Sequence, residues 1–198
     1  MPETLRGTVC DACAMTMLAR ALALVACVLA APAAADDGAA WAALSKGGHT
    51  LLLRHAATDP GVGDPPGYRL GDCASQRNLT DAGRRQARAL GERIAARGVA
   101  IGPVLSSRFC RCLDTATLAF GRVETWTALD SIFDDRAAER ARSKAVLDRV
   151  RAWRGPGTLV LVTHNVNISA ATGAAVGMGE AVVLDRDARV VGRLATVP

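Results

Sequence analysis

The chain is poor in the residues that most often announce a function. Aromatic residues make up only 4% of its 198 positions, with a single tyrosine. No basic run has aromatic side chains interleaved with it, so the stacking and backbone-tracking surface of a nucleic-acid binder is missing. No internal repeat occurs, which excludes arrays and solenoids. Histidine is scarce, at three residues, and the cysteines lack zinc spacing: Cys110 and Cys112 are separated by one residue, Cys73 is distant, and no histidine is near. A resident metal or other cofactor is therefore not expected. The longest apolar run, residues 21–30, falls short of the roughly 20 residues a membrane-spanning helix needs.

That apolar run has a different reading. Arg20 precedes it, and Ala33-Ala34-Ala35 follows with small residues before Asp36-Asp37. A basic start, a short apolar core and an Ala-x-Ala site describe a secretory signal peptide over residues 1–35. Met15 or Met17 would be a more typical first residue, so the segment before them reads as an over-extended start. A rival reading takes Leu24-Val25-Ala26-Cys27 as a lipoprotein box, and only lipidation of Cys27 would put the protein on a membrane. The apolar tail beyond Cys27 and the clean Ala-x-Ala site favour ordinary cleavage. The expected location is periplasmic or secreted.

Residues 36–198 are the size of one domain, long enough to bury a core. The formal charge of +5 does not come from the leader, where Arg6 and Arg20 balance Glu3 and Asp11. A modest positive balance suits an anionic ligand without identifying one. Three cysteines remain beyond the leader, and in an oxidising compartment one disulfide and one leftover thiol is the natural reading; three buried thiols is the alternative.

Periodicity and punctuation give the organisation. Helices are expected over residues 39–46, 80–97 (with Thr80 as N-cap), 110–120, 136–153 and from His164 to about Val176. Strands are expected at 50–54, 103–106, 123–126 and 158–163, and a hairpin at 181–184 and 190–194. Residues 59–73 are broken by Gly61, Gly63, Pro65, Pro66, Gly67 and Gly71 and form a loop. Strands alternating with helices predict a three-layer α/β/α sandwich around a mostly parallel sheet.

Two of the strands end alike. Leu51-Leu52-Leu53 runs into Arg54-His55, and Leu159-Val160-Leu161-Val162-Thr163 runs into His164. In an open α/β sheet ligands bind outside the carboxyl ends of the strands, so parallel strands would bring both imidazoles to one edge. A third strand leads through Ser106-Ser107 to Arg111 at a helix start. Guanidinium groups offer paired donors matched to phosphate oxygens, and neutral imidazole is a nucleophile able to form a covalent intermediate.

These residues resemble the histidine phosphatase superfamily, with its phosphoglycerate-mutase-like fold. Its Arg-His-Gly-x-Thr motif is matched by Arg54-His55-Ala56-Ala57-Thr58, with alanine in place of glycine. That change is tolerable where the backbone has negative φ. Its Leu-Thr-x-x-Gly-x-x-Gln-Ala is matched from Leu79 to Ala87, and its Ser-Ser-x-x-x-Arg-x-x-x-Thr-Ala from Ser106 to Ala116. The second histidine, after an apolar strand, is His164.

The resemblance implies that His55 is the phosphorylated nucleophile. Arg54, Arg111 and His164 would hold phosphoryl oxygens, with Thr58 as a further donor. The Thr115-Ala116 anchor selects Arg111 over Arg108, which is left as a rim or surface charge. Many relatives place an acid beyond the third strand, and among Asp130, Asp134 and Asp135 the last two are even candidates for it; either could equally be an N-cap. Asn167 could bond substrate or face the helix surface, and His49, at the far end of its strand, is expected to be solvated.

The implied activity is an exported, metal-independent phosphatase acting on a phosphorylated small molecule or a phosphorylated envelope component. A mutase is the alternative within the family, although its mutases are larger and cytosolic; a non-catalytic phosphate-binding module is the alternative outside enzymes. Selectivity would lie in residues 59–71, where Tyr68 and Arg69 either contact substrate or belong to a lid, and in residues 126–136. Because relatives usually carry a small buried residue at the position of Cys112, that side chain should face the core, which implies a Cys73–Cys110 disulfide with Cys112 free.

Overall fold

The two most apolar runs of the sequence lie side by side at the centre of the sheet, in a computed structural model that describes Met1, residues 37–61 and residues 63–195. The expected leader and Cys27 fall outside the described residues. In chain order the elements are α1 (Asp37–Lys46), β1 (Thr50–Arg54), α2 (Asp81–Ala96), β2 (Ile101–Ser106), α3 (Cys110–Phe120) and β3 (Glu124–Thr125). They continue with α4 (Glu139–Ala152), β4 (Thr158–Thr163), α5 (Asn165–Thr172), β5 (Ala181–Leu184) and β6 (Val190–Leu194). The strand order is β3-β2-β4-β1-β5-β6. β3, β2, β4 and β1 pair in parallel, whereas β5 joins β1 antiparallel and β6 closes the hairpin.

Alternation along each strand explains the three layers. Leu51, Leu53, Val160, Val162, Ala181 and Val183 pack on one face with apolar residues of α1, α2 and α3. Leu52, Leu159, Leu161, Val182 and Leu184 pack on the other with α4 and α5. Both faces of β1 and β4 are covered, so these strands are apolar without a polar alternate. Each fully buried leucine contributes about 2 kcal/mol.

Helix boundaries follow local chemistry, with two departures from expectation. Thr80 caps α2 by accepting a hydrogen bond from the Gly83 N–H. The helix after β4 stops at Thr172 instead of near Val176, because Gly173 takes the left-handed conformation with φ 72°. The segment beyond Gly173 is thereby released to run back past the end of β1. The helix expected from Arg136 begins as a 3-10 turn over Arg136–Ala138, and α4 proper starts at Glu139. Gly83 is required by packing: a Cβ there would sit 2.0 Å from the Ala57 carbonyl oxygen, so only glycine lets α2 approach the chain leaving β1.

Candidate active site

Strand register brings the chemistry together. Arg54 pairs with Thr163 across β1 and β4, so His55 and His164 leave neighbouring strands at the same edge. The His55 N–H donates to the Thr163 carbonyl at 3.0 Å, and the two imidazole centroids are 5.5 Å apart at 64°. On the other side of β4, the Ser107 N–H donates to the Val162 carbonyl, and the chain turns into α3 to place Arg111 in its first turn. A cavity of about 240 Å³ opens there, lined by Arg54, His55, Arg77, Arg111 and His164 with Asp64, Phe133, Asp134 and Met178 among its walls.

The residues between the motifs hold His55 still. The Ala56 N–H donates to Thr115 Oγ1 at 2.9 Å, and the Ala57 N–H donates to Gln86 Oε1 at 2.9 Å. The Thr80 N–H donates to the Ala57 carbonyl. Among the described residues only Ala188 is a non-glycine with positive φ, so Ala56 carries no left-handed strain.

His55 is 2% exposed, and its Nδ1 lies 2.8 Å from the Ala56 carbonyl oxygen. A carbonyl only accepts, so Nδ1 carries the proton and Nε2 keeps its lone pair. Burial, reinforced by the charges of Arg111, Arg54 and Arg77, pushes the pKa of His55 down to about 3. The imidazole is therefore neutral, as a nucleophile requires. Burial, then Arg111, also holds His164 well below the usual histidine range.

His164 is set by a buried chain of contacts. Its Nε2 lies 3.0 Å from Ser107 Oγ, which donates to Asp130 Oδ1 at 3.2 Å. Asp130 is fixed by the Arg108 N–H at 2.8 Å and by Arg108 Nη2 at 2.6 Å. Arg111 donates through Nη1 to Asp64 Oδ1 at 2.8 Å, with both side chains at most 4% exposed, and its Nη2 lies 3.4 Å from His164 Nδ1. Arg54 Nη1 donates to the Val176 carbonyl at 2.8 Å, in the segment released by the early end of α5. Arginines and neutral imidazoles thus converge in one small cavity, an arrangement able to hold an anion beside an imidazole lone pair.

Residues 50–140 match the histidine phosphatase superfamily (branch 1). The matched segment carries Arg54, His55 and Arg111, and His164 lies beyond it. No curated protein is a sequence match to it. Among solved structures, SixA of Agrobacterium tumefaciens, a candidate phosphohistidine phosphatase, is 24% identical, with 74% of this chain and 97% of SixA covered and a TM-score of 0.50. The mycobacterial glucosyl-3-phosphoglycerate phosphatase Rv2419c with VO3 is 22% identical over 69% of this chain and 92% of its own, with a TM-score of 0.50. Rv3214 from Mycobacterium tuberculosis is 19% identical over 75% of this chain and 96% of its own, with a TM-score of 0.55. These likenesses establish the fold, a phosphoglycerate-mutase-like α/β architecture.

The structure separates the two even candidates for the acid. Asp134 lines the cavity, with the Tyr68 hydroxyl 3.5 Å from its Oδ2, whereas Asp135 pairs with Arg142 at 2.8 Å and is not in the lining. Thr58 is buried beside the cavity lining, its hydroxyl bonded to the Asp59 carbonyl at 3.3 Å and near the Met178 sulfur at 3.6 Å. Asn167 neither lines the cavity nor faces outward. It ties down residues 130–132, donating to the Asp130 carbonyl at 2.8 Å and accepting from the Ile132 N–H at 3.3 Å. Arg108 is more than a surface charge, because it neutralises the buried Asp130. His49 is half-buried at the other end of β1, bonded to the Gly47 carbonyl.

The disulfide joins Cys73 to Cys110, as expected, and Cys112 is a buried free thiol pushed up to about 12 by burial. Sequence reasoning missed Asp64, Arg77 and the pairing of Ser107 with Asp130. Asp64 stands in a glycine- and proline-broken loop without periodicity. Arg77 had one visible cue, its place two residues before the Leu79-Thr80 motif. Among the described residues no group of three or more His, Cys, Asp or Glu is placed to hold a metal ion, and no helix is long and apolar enough to cross a membrane.

Proposed function

We propose that this chain is an exported phosphatase that hydrolyses phosphomonoesters through a phosphohistidine on His55, without a metal. The observation that carries the reading is the fixed tautomer of a buried, neutral His55, with Nδ1 tied to the Ala56 carbonyl and Nε2 left as nucleophile in an arginine-lined cavity. In the reaction, Arg54, Arg111 and His164 hold the phosphoryl oxygens and the Nε2 lone pair attacks phosphorus. The bond to the leaving oxygen breaks, and that oxygen takes a proton from Asp134, the acid favoured by its place in the cavity lining. Asp134, now ionised, removes a proton from water, which attacks the phosphohistidine and frees orthophosphate and His55. Positioning and charge neutralisation do most of the work of phosphoryl transfer, and here guanidinium groups supply the positive charge.

A cavity of about 240 Å³ suits a phosphorylated small molecule, or the phosphorylated terminus of an envelope component, as substrate. Export is supported by the leader-like residues 1–35 and by a disulfide, which persists in oxidising compartments. Incubation with a ³²P-labelled phosphomonoester and quenching in base should trap acid-labile label on His55. His55→Ala should abolish label and turnover, while His49→Ala should stay within a few-fold of wild type. Asp134→Asn should lower kcat roughly 100-fold, the size of a lost general acid, and Asp135→Asn should not. Activity should survive EDTA; its loss on chelation, or label that stays on His55→Ala protein, would overturn the mechanism.

A further inference from the structure

We infer that Arg77 is a third phosphoryl-binding guanidinium of the His55 site, carried on the segment that the Cys73–Cys110 disulfide fastens to Arg111. The inference rests on the phosphatase reading above and adds to it a residue outside the four of the two strand-end motifs and α3.

Arg77 lines the same cavity as His55, Arg54 and Arg111. Among the described residues five buried side-chain nitrogen or oxygen atoms have no hydrogen-bond partner, and three of them are the Nε atoms of Arg54, Arg77 and Arg111. All three belong to arginines that line the cavity, so each of these guanidinium groups keeps donor capacity that its protein neighbours do not take up. The charges also act on one another. Burial lowers the pKa of both Arg54 and Arg77, and beyond it Arg77 and Arg111 lower that of Arg54 while Arg111 lowers that of Arg77. A dianion placed among them relieves that repulsion.

The position of Arg77 is built, not incidental. Its N–H donates to Asp64 Oδ1 at 3.0 Å, and the same oxygen takes the Arg111 Nη1 at 2.8 Å. The Arg77 carbonyl accepts from Arg111 Nη1 at 3.4 Å. Its own Nη1 donates to the Gly61 carbonyl at 2.7 Å, which fixes the guanidinium against the loop. Upstream, Cys73 is bonded to Cys110, and Gln76 Oε1 accepts from the Cys110 N–H at 3.0 Å. Segment 73–77 is therefore locked to the first turn of α3, so Arg77 and Arg111 move as one unit.

Calorimetric titration with orthophosphate, together with steady-state kinetics on a phosphomonoester, tests the assignment. Arg77→Gln should bind orthophosphate at least 10-fold more weakly and raise KM to match, with kcat changed by less than threefold, because the contact is made to the phosphoryl group before and during transfer. It should also lose part of the ionic-strength dependence of orthophosphate binding, which a merely loosened loop does not alter. If the glutamine variant does not fold, Arg77→Lys serves: it keeps the charge but not the planar fork, and should bind orthophosphate two- to tenfold more weakly. Binding within twofold of wild type for whichever variant folds overturns the role of Arg77 and leaves the His55 reading standing. A wild-type protein that binds no orthophosphate and turns over no phosphomonoester overturns the His55 reading itself.

Discussion

Removing the Cys73–Cys110 cross-link should cost stability far more than it costs chemistry. The paired change Cys73→Ser with Cys110→Ala suits the sites, since Cys73 is exposed and Cys110 is only 2% exposed. The bond closes a separation of 37 residues. Chain-entropy reasoning for a loop of that length gives about 4 kcal/mol, lost through a freer unfolded state. For a domain of this size that corresponds to a fall in Tm of roughly 8–15 °C. The native contacts beside the bond do not depend on it: Gln76 still accepts from the residue 110 N–H, and Asp64 still pairs with Arg111. The variant should therefore keep kcat within a few-fold at temperatures where it is folded, while KM rises as segment 73–77 loosens. Guanidinium denaturation of oxidised wild type, reduced wild type and the variant measures the stability term, and the last two should coincide. A loss below about 1 kcal/mol would show that the unfolded chain is already constrained in this region, or that the bond strains the native fold, and the reasoning would fail.

Two further outcomes follow from the same geometry. His55 is held neutral with its pKa near 3 against 6.5 in the unfolded chain, so below pH 6.5 the unfolded state binds a proton that the native state does not. Stability should fall as pH drops from 6.5 towards 4, by at most about 1.4 kcal/mol per unit for this group, with His164 acting in the same direction. Urea denaturation at pH 7 and pH 5 measures the fall, His55→Gln should make it shallower, and a flat profile would contradict neutral burial. Gly83→Ala would drive a Cβ to 2.0 Å from the Ala57 carbonyl. It should cost roughly 1–3 kcal/mol by overpacking and depress activity by displacing Ala57, as read by thermal melts and initial rates.

The sequence by itself determined the sheet and the edge at which both histidines leave it. The runs before His55 and His164 are apolar at successive positions, as a strand covered on both faces requires, and both are covered in the structure. The same local chemistry placed Thr80 at a helix start, whereas the reason for Gly83, a close approach of α2 to the chain leaving β1, appears only in three dimensions. What the tertiary structure decided lies where no periodicity operates. Asp134 and Asp135 are neighbours in one irregular segment, and the direction of each side chain depends on the fold of residues 130–138: one joins the cavity, the other meets Arg142 on α4. Asp64 comes from a loop whose glycines and prolines say only that it is neither helix nor strand, Arg77 from the turn between that loop and α2, and their contacts with Arg111 span 47 and 34 residues. Local pattern specifies which elements form because backbone geometry and burial act over a few residues; a buried ion pair between a loop and a distant helix is specified by the enclosure that the packed sheet and helices create around it.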